Sequence, residues 1–231
     1  ESEDGGSGAR LARGVVDLGD DEAHGRCLDQ SGLTGTERAR GPRSIGLALP
    51  KLEQVYGLEK HFVVNHLGHF ILANRLLPQV TAAPQGRVVM VSSLGYRWAP
   101  AAGIEFDNLD GQRGYEPNKM YGQSKLANAL FAFELARRLQ GTGATSNALH
   151  PGVINTNLGR HFEAWKRAAA SLIGWTFMKS VEAGAATSCY VATAPALADV
   201  TGVYFEDCNP VVPVAGKHMD DVQMAGKLWA K

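Results

Sequence analysis

Tyr121 and Lys125 stand four residues apart in the stretch YGQSK. On a helix this spacing places both side chains on one face. A phenol ionises near pH 10, and bringing it to about 7 takes about 3 units, roughly 4 kcal/mol. An ammonium held about 5 Å away, at an effective dielectric near 20, supplies on the order of 3 kcal/mol. With a further positive charge nearby to supply the remainder, such a pair is a workable general acid/base at neutral pH. Proton transfer at a carbonyl or alcohol also needs a donor that holds the oxygen, and Ser93 stands where the apolar run RVVMVSS ends. A second pair of the same spacing, Tyr56 and Lys60 in YGLEK, has no such strand before it. Glu59 beside Lys60 would compete for that ammonium, so Tyr56 and Lys60 read as a surface pair on a helix.

The elements that must position these groups are legible in part. Residues 51–80 read as one long helix, with Leu58, Phe62, Asn65, His69, Leu72 and Leu76 near one face and Pro78 ending it. Residues 86–93 are a short β-branched run bounded by Gly86 and Ser92–Ser93, as expected of a buried parallel strand. A polar stretch rich in turn residues follows over 103–118. A second helix is predicted from about Pro117, closing on Arg137, Arg138 and Gly141. TSNALHPG (145–152) reads as a strand, VEAGAATSCYVAT (181–193) as a helix and TGVYFED (201–207) as a final strand. Strands alternating with helices at crossover length predict an α/β protein with a Rossmann-like, doubly wound parallel sheet.

Composition narrows the class. The chain has 231 residues and a formal net charge of zero, which argues against a general electrostatic footprint for nucleic acid or an anionic membrane. Cys27, Cys189 and Cys208 are odd in number and far apart, implying neither a disulfide framework nor a zinc site, and no metal is expected. No apolar run reaches the roughly 18 residues of a membrane span, and the acidic start is unlike a signal peptide. A soluble cytoplasmic protein is the expectation. Residues 1–44 differ from the rest: nine Gly, six Arg and nine acidic residues, with no Lys, Phe, Tyr, Trp or Ile.

The motifs NHLGHF, RVVMVSSLGYR, YGQSKLANALFAFELARRL, HPGVINTNL and TGVYFEDC occur in an order that resembles the short-chain dehydrogenases/reductases. The branch they are most similar to is the retinol dehydrogenase-like and WW-domain-oxidoreductase-like group, over roughly residues 45–231. The resemblance implies an NAD(P)-dependent oxidoreductase that interconverts an alcohol and a carbonyl on a small lipophilic substrate. It implies that Tyr121 is the acid/base, aided by a positively charged nicotinamide ring. Lys125 would lower the Tyr121 pKa and bind the nicotinamide ribose. Ser93, rather than Ser92, would orient the carbonyl, and Asn65 would help hold a relay water. Pro151, Gly152, Val153 and Thr156 would contact the nicotinamide end of the cofactor. By analogy with the branch, NADP(H) is favoured over NAD(H), and helices 51–77 and 117–139 resemble those forming homodimer faces in the wider family.

Several of these residues have a plainer reading. Asn65 would also serve as a polar residue bonding inside packed helices, and Ser93 as a strand-end turn residue or helix cap. His66, His69 and His150 read as packing residues. The segment 158–180 reads as a lid over a lipophilic substrate, with Phe162, Trp165, Leu172 and Trp175 as its apolar face, or as a helix lying on a membrane surface. The family's Gly-rich fingerprint, which holds a pyrophosphate at a helix N-terminus, is not recognisable in DGGSGAR or SGLTGTERARG. Residues 1–44 are therefore expected to be an atypical segment, disordered or mis-framed, with the N-terminal βαβ units incomplete and 45–231 the catalytic portion. The alternative function is a catalytically inactive fragment that binds no cofactor and acts through protein interactions.

Overall fold

The structure is a computed structural model that describes residues 49–154 and 179–231. It begins with an antiparallel hairpin of β1 (Gln54–Val55) and β2 (Leu58–Glu59). Tyr56 (φ 53°) and Gly57 (φ 78°) form its two-residue turn, in which both residues must take positive φ. This corrects the expectation of a helix from residue 51. Tyr56 is 94% exposed on a hairpin tip, not on a helix, and Lys60 bonds Glu53 at 2.5 Å rather than Glu59.

The helical run starts where the Glu59 carboxylate accepts from the Phe62 N–H at 3.0 Å. It comprises α1 (Lys60–Phe62), a π-helical turn (Val63–Leu67) and α2 (Gly68–Ala82). Pro78 lies inside α2 and does not end it; the helix tolerates one lost backbone bond, and the Thr81 hydroxyl donates to the Leu77 carbonyl at 2.9 Å. The expected apolar face is also split. Phe62 and Asn65 are buried, whereas Leu72 and Leu76 are 57% and 46% exposed. The π turn holds an extra residue, which rotates the register of everything after it.

β3 (Arg87–Val91) leads through a 3-10 turn (Leu94–Trp98) and a polar loop into α3 (Pro117–Arg138). β4 (Thr145–His150) follows, then α4 (Val181–Thr193), β5 (Tyr204–Glu206), β6 (Asn209–Val211) and α5 (Val222–Ala230). β3, β4 and β5 are parallel neighbours in that order, and β6 returns antiparallel to β5. The expected strand over 201–207 is therefore not the last. It turns at Asp207 and Cys208, both at positive φ, and α5 lies beyond it.

Alternation along the strands builds two cores. Met90, Ala148 and Tyr204 face one side and pack with Leu126, Leu130 and Leu135 of α3. Leu149 and Phe205 face the other and pack with Val191 of α4 and Leu197. The result is the Rossmann-like α/β arrangement expected, with helices on both sheet faces. α3 is buried on nearly every side between Met120 and Leu135, and α5 closes its far end with Trp229 stacked on Phe131 at 5.5 Å. Among the described residues no helix is long and apolar enough to cross a membrane, and no cluster of His, Cys, Asp or Glu could hold a metal.

Candidate active site

The carboxyl end of β3 delivers two serines to different tasks. Ser92 is buried and its hydroxyl donates to the Lys125 carbonyl at 2.8 Å, which ties the strand end to α3. Ser93 turns outward, and its Oγ caps the 3-10 turn by accepting from Gly95 N at 3.1 Å. The same hydroxyl lies beside the Tyr121 phenol and acts to lower its pKa. A cap and a neighbour of the phenol thus coincide in one residue.

Tyr121 sits in a close-fitting slot. A Cβ on Gly95 would stand 2.6 Å from Tyr121 Cε1, and one on Gly122 would stand 2.5 Å from Ala99 N and 2.7 Å from the Gly95 carbonyl. The two glycines therefore let α3 press against the 3-10 turn and place the ring beside Ser93. His61 meets the ring edge-on at 6.2 Å, and Trp98, itself 49% exposed, stands 6.3 Å away. Burial pushes the phenol above its ordinary pKa, and the neighbouring Ser93 hydroxyl opposes that shift.

Lys125 lies one turn further along, buried, with Nζ 5.8 Å from the Tyr121 ring centroid. Burial lowers its pKa from 10.5 to about 8. Its ammonium reaches the Val91 carbonyl through a long bond of 3.4 Å. Behind it, Asn65 in the π turn donates from Nδ2 to Ser124 Oγ at 3.1 Å. The Asn65 carbonyl accepts from Asn128 Nδ2 and His69 Nδ1, both at 2.9 Å. Asn65 thus also fills the packing role open to it.

β4 ends at His150, and Pro151–Ile154 continue from it. Gly152 has φ 91°, and a Cβ there would meet the Lys179 side chain at 2.7 Å. Lys179 N donates to the Val153 carbonyl at 2.8 Å, and its ammonium pairs with Asp207. His150 and His66 are both held near pKa 4 by burial, hence neutral at pH 7. Thr156 and the proposed lid residues Phe162, Trp165, Leu172 and Trp175 lie outside the described residues, as do residues 1–48.

Ser93, Tyr121, Lys125 and Asn65 are thus brought into one region, while Pro151, Gly152 and Val153 follow the neighbouring strand. Sequence reasoning missed His61, Trp98 and Asn128 altogether. The Gly of YGQSK is the one signal in the sequence that points to the close approach of α3.

The family described as short chain dehydrogenase matches residues 48–167, a span that includes all four of these residues. Human retinol dehydrogenase 14 is 43% identical over 182 residues, covering 78% of this chain and 53% of that protein. Mouse polyprenol dehydrogenase is 36% identical over 232 residues, covering 94% of this chain and 69% of that protein. An uncharacterised protein from Mycobacterium paratuberculosis, known from its crystal structure, superposes with a TM-score of 0.57 at 29% identity, over 80% of this chain and 62% of that one. The chain spans about half the length of the retinol dehydrogenase it matches.

Proposed function

The chain belongs to the short chain dehydrogenase family, and from that premise we propose that it is an NAD(P)-dependent oxidoreductase interconverting an alcohol and a carbonyl on a small lipophilic substrate. The observation that carries the reading is the meeting of Ser93, Tyr121 and Lys125 beyond the carboxyl end of β3, where ligands bind in open α/β sheets. Two relatives named for retinol and polyprenol support a lipophilic alcohol, and the half-exposed Trp98 beside Tyr121 offers it an apolar wall.

The residues present fit the nicotinamide end of a dinucleotide. Lys125 carries buried N–H donors with a single long bond among the described residues, suited to ribose hydroxyls. When bound, the cofactor supplies or accepts the hydride and, oxidised, a positive charge. Ser93 then orients the substrate oxygen, and Tyr121 gives or takes its proton. Asn65 holds the turn behind Lys125, and Pro151, Gly152, Val153 and Thr156 are proposed to line the nicotinamide side. NADP(H) is favoured over NAD(H), and a homodimer is part of the same reading. Residues 45–231 are proposed as the catalytic portion, with 1–44 a separate segment.

The test is turnover of lipophilic aldehydes with NADPH or NADH, followed at the nicotinamide absorbance. Consumption that needs both aldehyde and cofactor supports the proposal, and no consumption with either cofactor refutes it.

A further inference from the structure

Asn128, one turn beyond Lys125 on α3 and 2% exposed, is the most heavily committed polar side chain behind the site. Its Nδ2 donates to the Asn65 carbonyl at 2.9 Å and to the Val91 carbonyl at 3.1 Å. Main-chain carbonyls only accept, so the amide has one orientation and Oδ1 must face the other way. There it meets His66 Nδ1 at 3.2 Å, and His66 consequently carries its proton on Nδ1. One side chain thereby joins the π turn, the end of β3 and the helix bearing Tyr121 and Lys125.

The Val91 carbonyl is shared. Asn128 holds it at 3.1 Å, and the Lys125 ammonium reaches it only at 3.4 Å. We propose that Asn128 is a positioning residue: by occupying the Val91 carbonyl it prevents the Lys125 ammonium from settling there, and keeps its donors available toward Tyr121 and a bound ligand. The catalytic meaning of this rests on the reaction proposed above, but the competition for one carbonyl does not. A buried structural tie would make the same bonds, so the test must read Lys125 itself. Among the described residues, the titratable groups facing Lys125 are Tyr121 on its own helix and His150 at the end of β4, with His66 on the other side of Asn128.

The experiment follows the Lys125 side chain by 13C NMR of lysine-labelled full-length chain, without cofactor or substrate, assigned by the signal lost in Lys125→Met. Wild type is expected to titrate near pH 8. In Asn128→Leu the ammonium gains the Val91 carbonyl for itself, and its titration moves up by about one pH unit. Asn128→Ala removes the same amide donors without adding a charge, is expected to move the titration in the same direction, and carries the test alone if the Leu variant does not fold. Folded variants in which Lys125 titrates as in wild type overturn the proposal. Loss of fold in both also overturns it, since the amide would then be a packing tie. A wild-type chain without turnover tells against the proposed reaction and leaves this result standing.

Discussion

Gly122 passes Gly95 so closely that a Cβ on Gly122 would lie 2.7 Å from the Gly95 carbonyl oxygen. The second letter of YGQSK is therefore set by backbone contact between α3 and the 3-10 turn after β3. The contact decides where the Tyr121 ring stands relative to Ser93, which links a packing constraint to the chemistry.

Gly122→Ala should destabilise the fold by about 1–3 kcal/mol, because the clash is with backbone and cannot be relieved by a side-chain rotation. Gly226→Ala is the control: a Cβ there meets nothing within 4 Å in helix α5, and a gain of a few tenths to about 1 kcal/mol is expected. Urea unfolding of the two variants checks both signs.

The two serines should separate stability from chemistry. Ser92→Ala removes a buried hydrogen bond to the Lys125 carbonyl and should cost about 1–3 kcal/mol of stability. Ser93→Ala removes a cap and a partly exposed neighbour of the Tyr121 phenol, and should cost within about 1 kcal/mol. Its kcat should nevertheless fall roughly 100-fold or more. Unfolding and turnover measured on both proteins give the comparison.

Lys125 predicts a pH dependence with a definite sign. Folded, it loses its proton near pH 8; unfolded, near its ordinary 10.5. Between those values the unfolded chain binds the extra proton, so stability should rise with pH across the window, by about 3 kcal/mol in total. Lys125→Met should be more stable than wild type at pH 7 and should lack that rise. Denaturant titrations at several pH values show whether the rise disappears.

His66 and His150 act at the acid side. Both are neutral when folded, with pKa near 4, and protonate near 6.5 when unfolded. Stability should therefore fall as pH drops from 6.5 toward 4, by about 2 kcal/mol for each residue at pH 5. His150→Gln should show a smaller loss between pH 7 and pH 5 than wild type, measured by urea unfolding.

The parts legible in sequence were those governed by local pattern. β3, α3, β4 and α4 follow from a β-branched run, a helix with Pro near its start and basic residues at its end, and clear breaks between them. The β1–β2 hairpin was hidden because Leu58 and Phe62 keep a helical spacing from its second strand into α1. The turn before β6 was hidden because Asp207 and Cys208 adopt positive φ without a glycine to announce it. Ser93 was separable from Ser92 only through resemblance, and the Ser92–Lys125 hydrogen bond now gives a physical reason for the distinction. Asn128 was invisible, since its acceptors lie 63 and 37 residues away in the chain.

The most direct test of the central claim is cofactor-dependent reduction of a lipophilic aldehyde by the full chain and by Tyr121→Phe, with NADPH binding followed by nicotinamide fluorescence. The prediction is micromolar binding by both proteins, and turnover by wild type that Tyr121→Phe loses while Tyr56→Phe retains it. No binding at millimolar cofactor, or equal loss of turnover in the Tyr121 and Tyr56 variants, would contradict it.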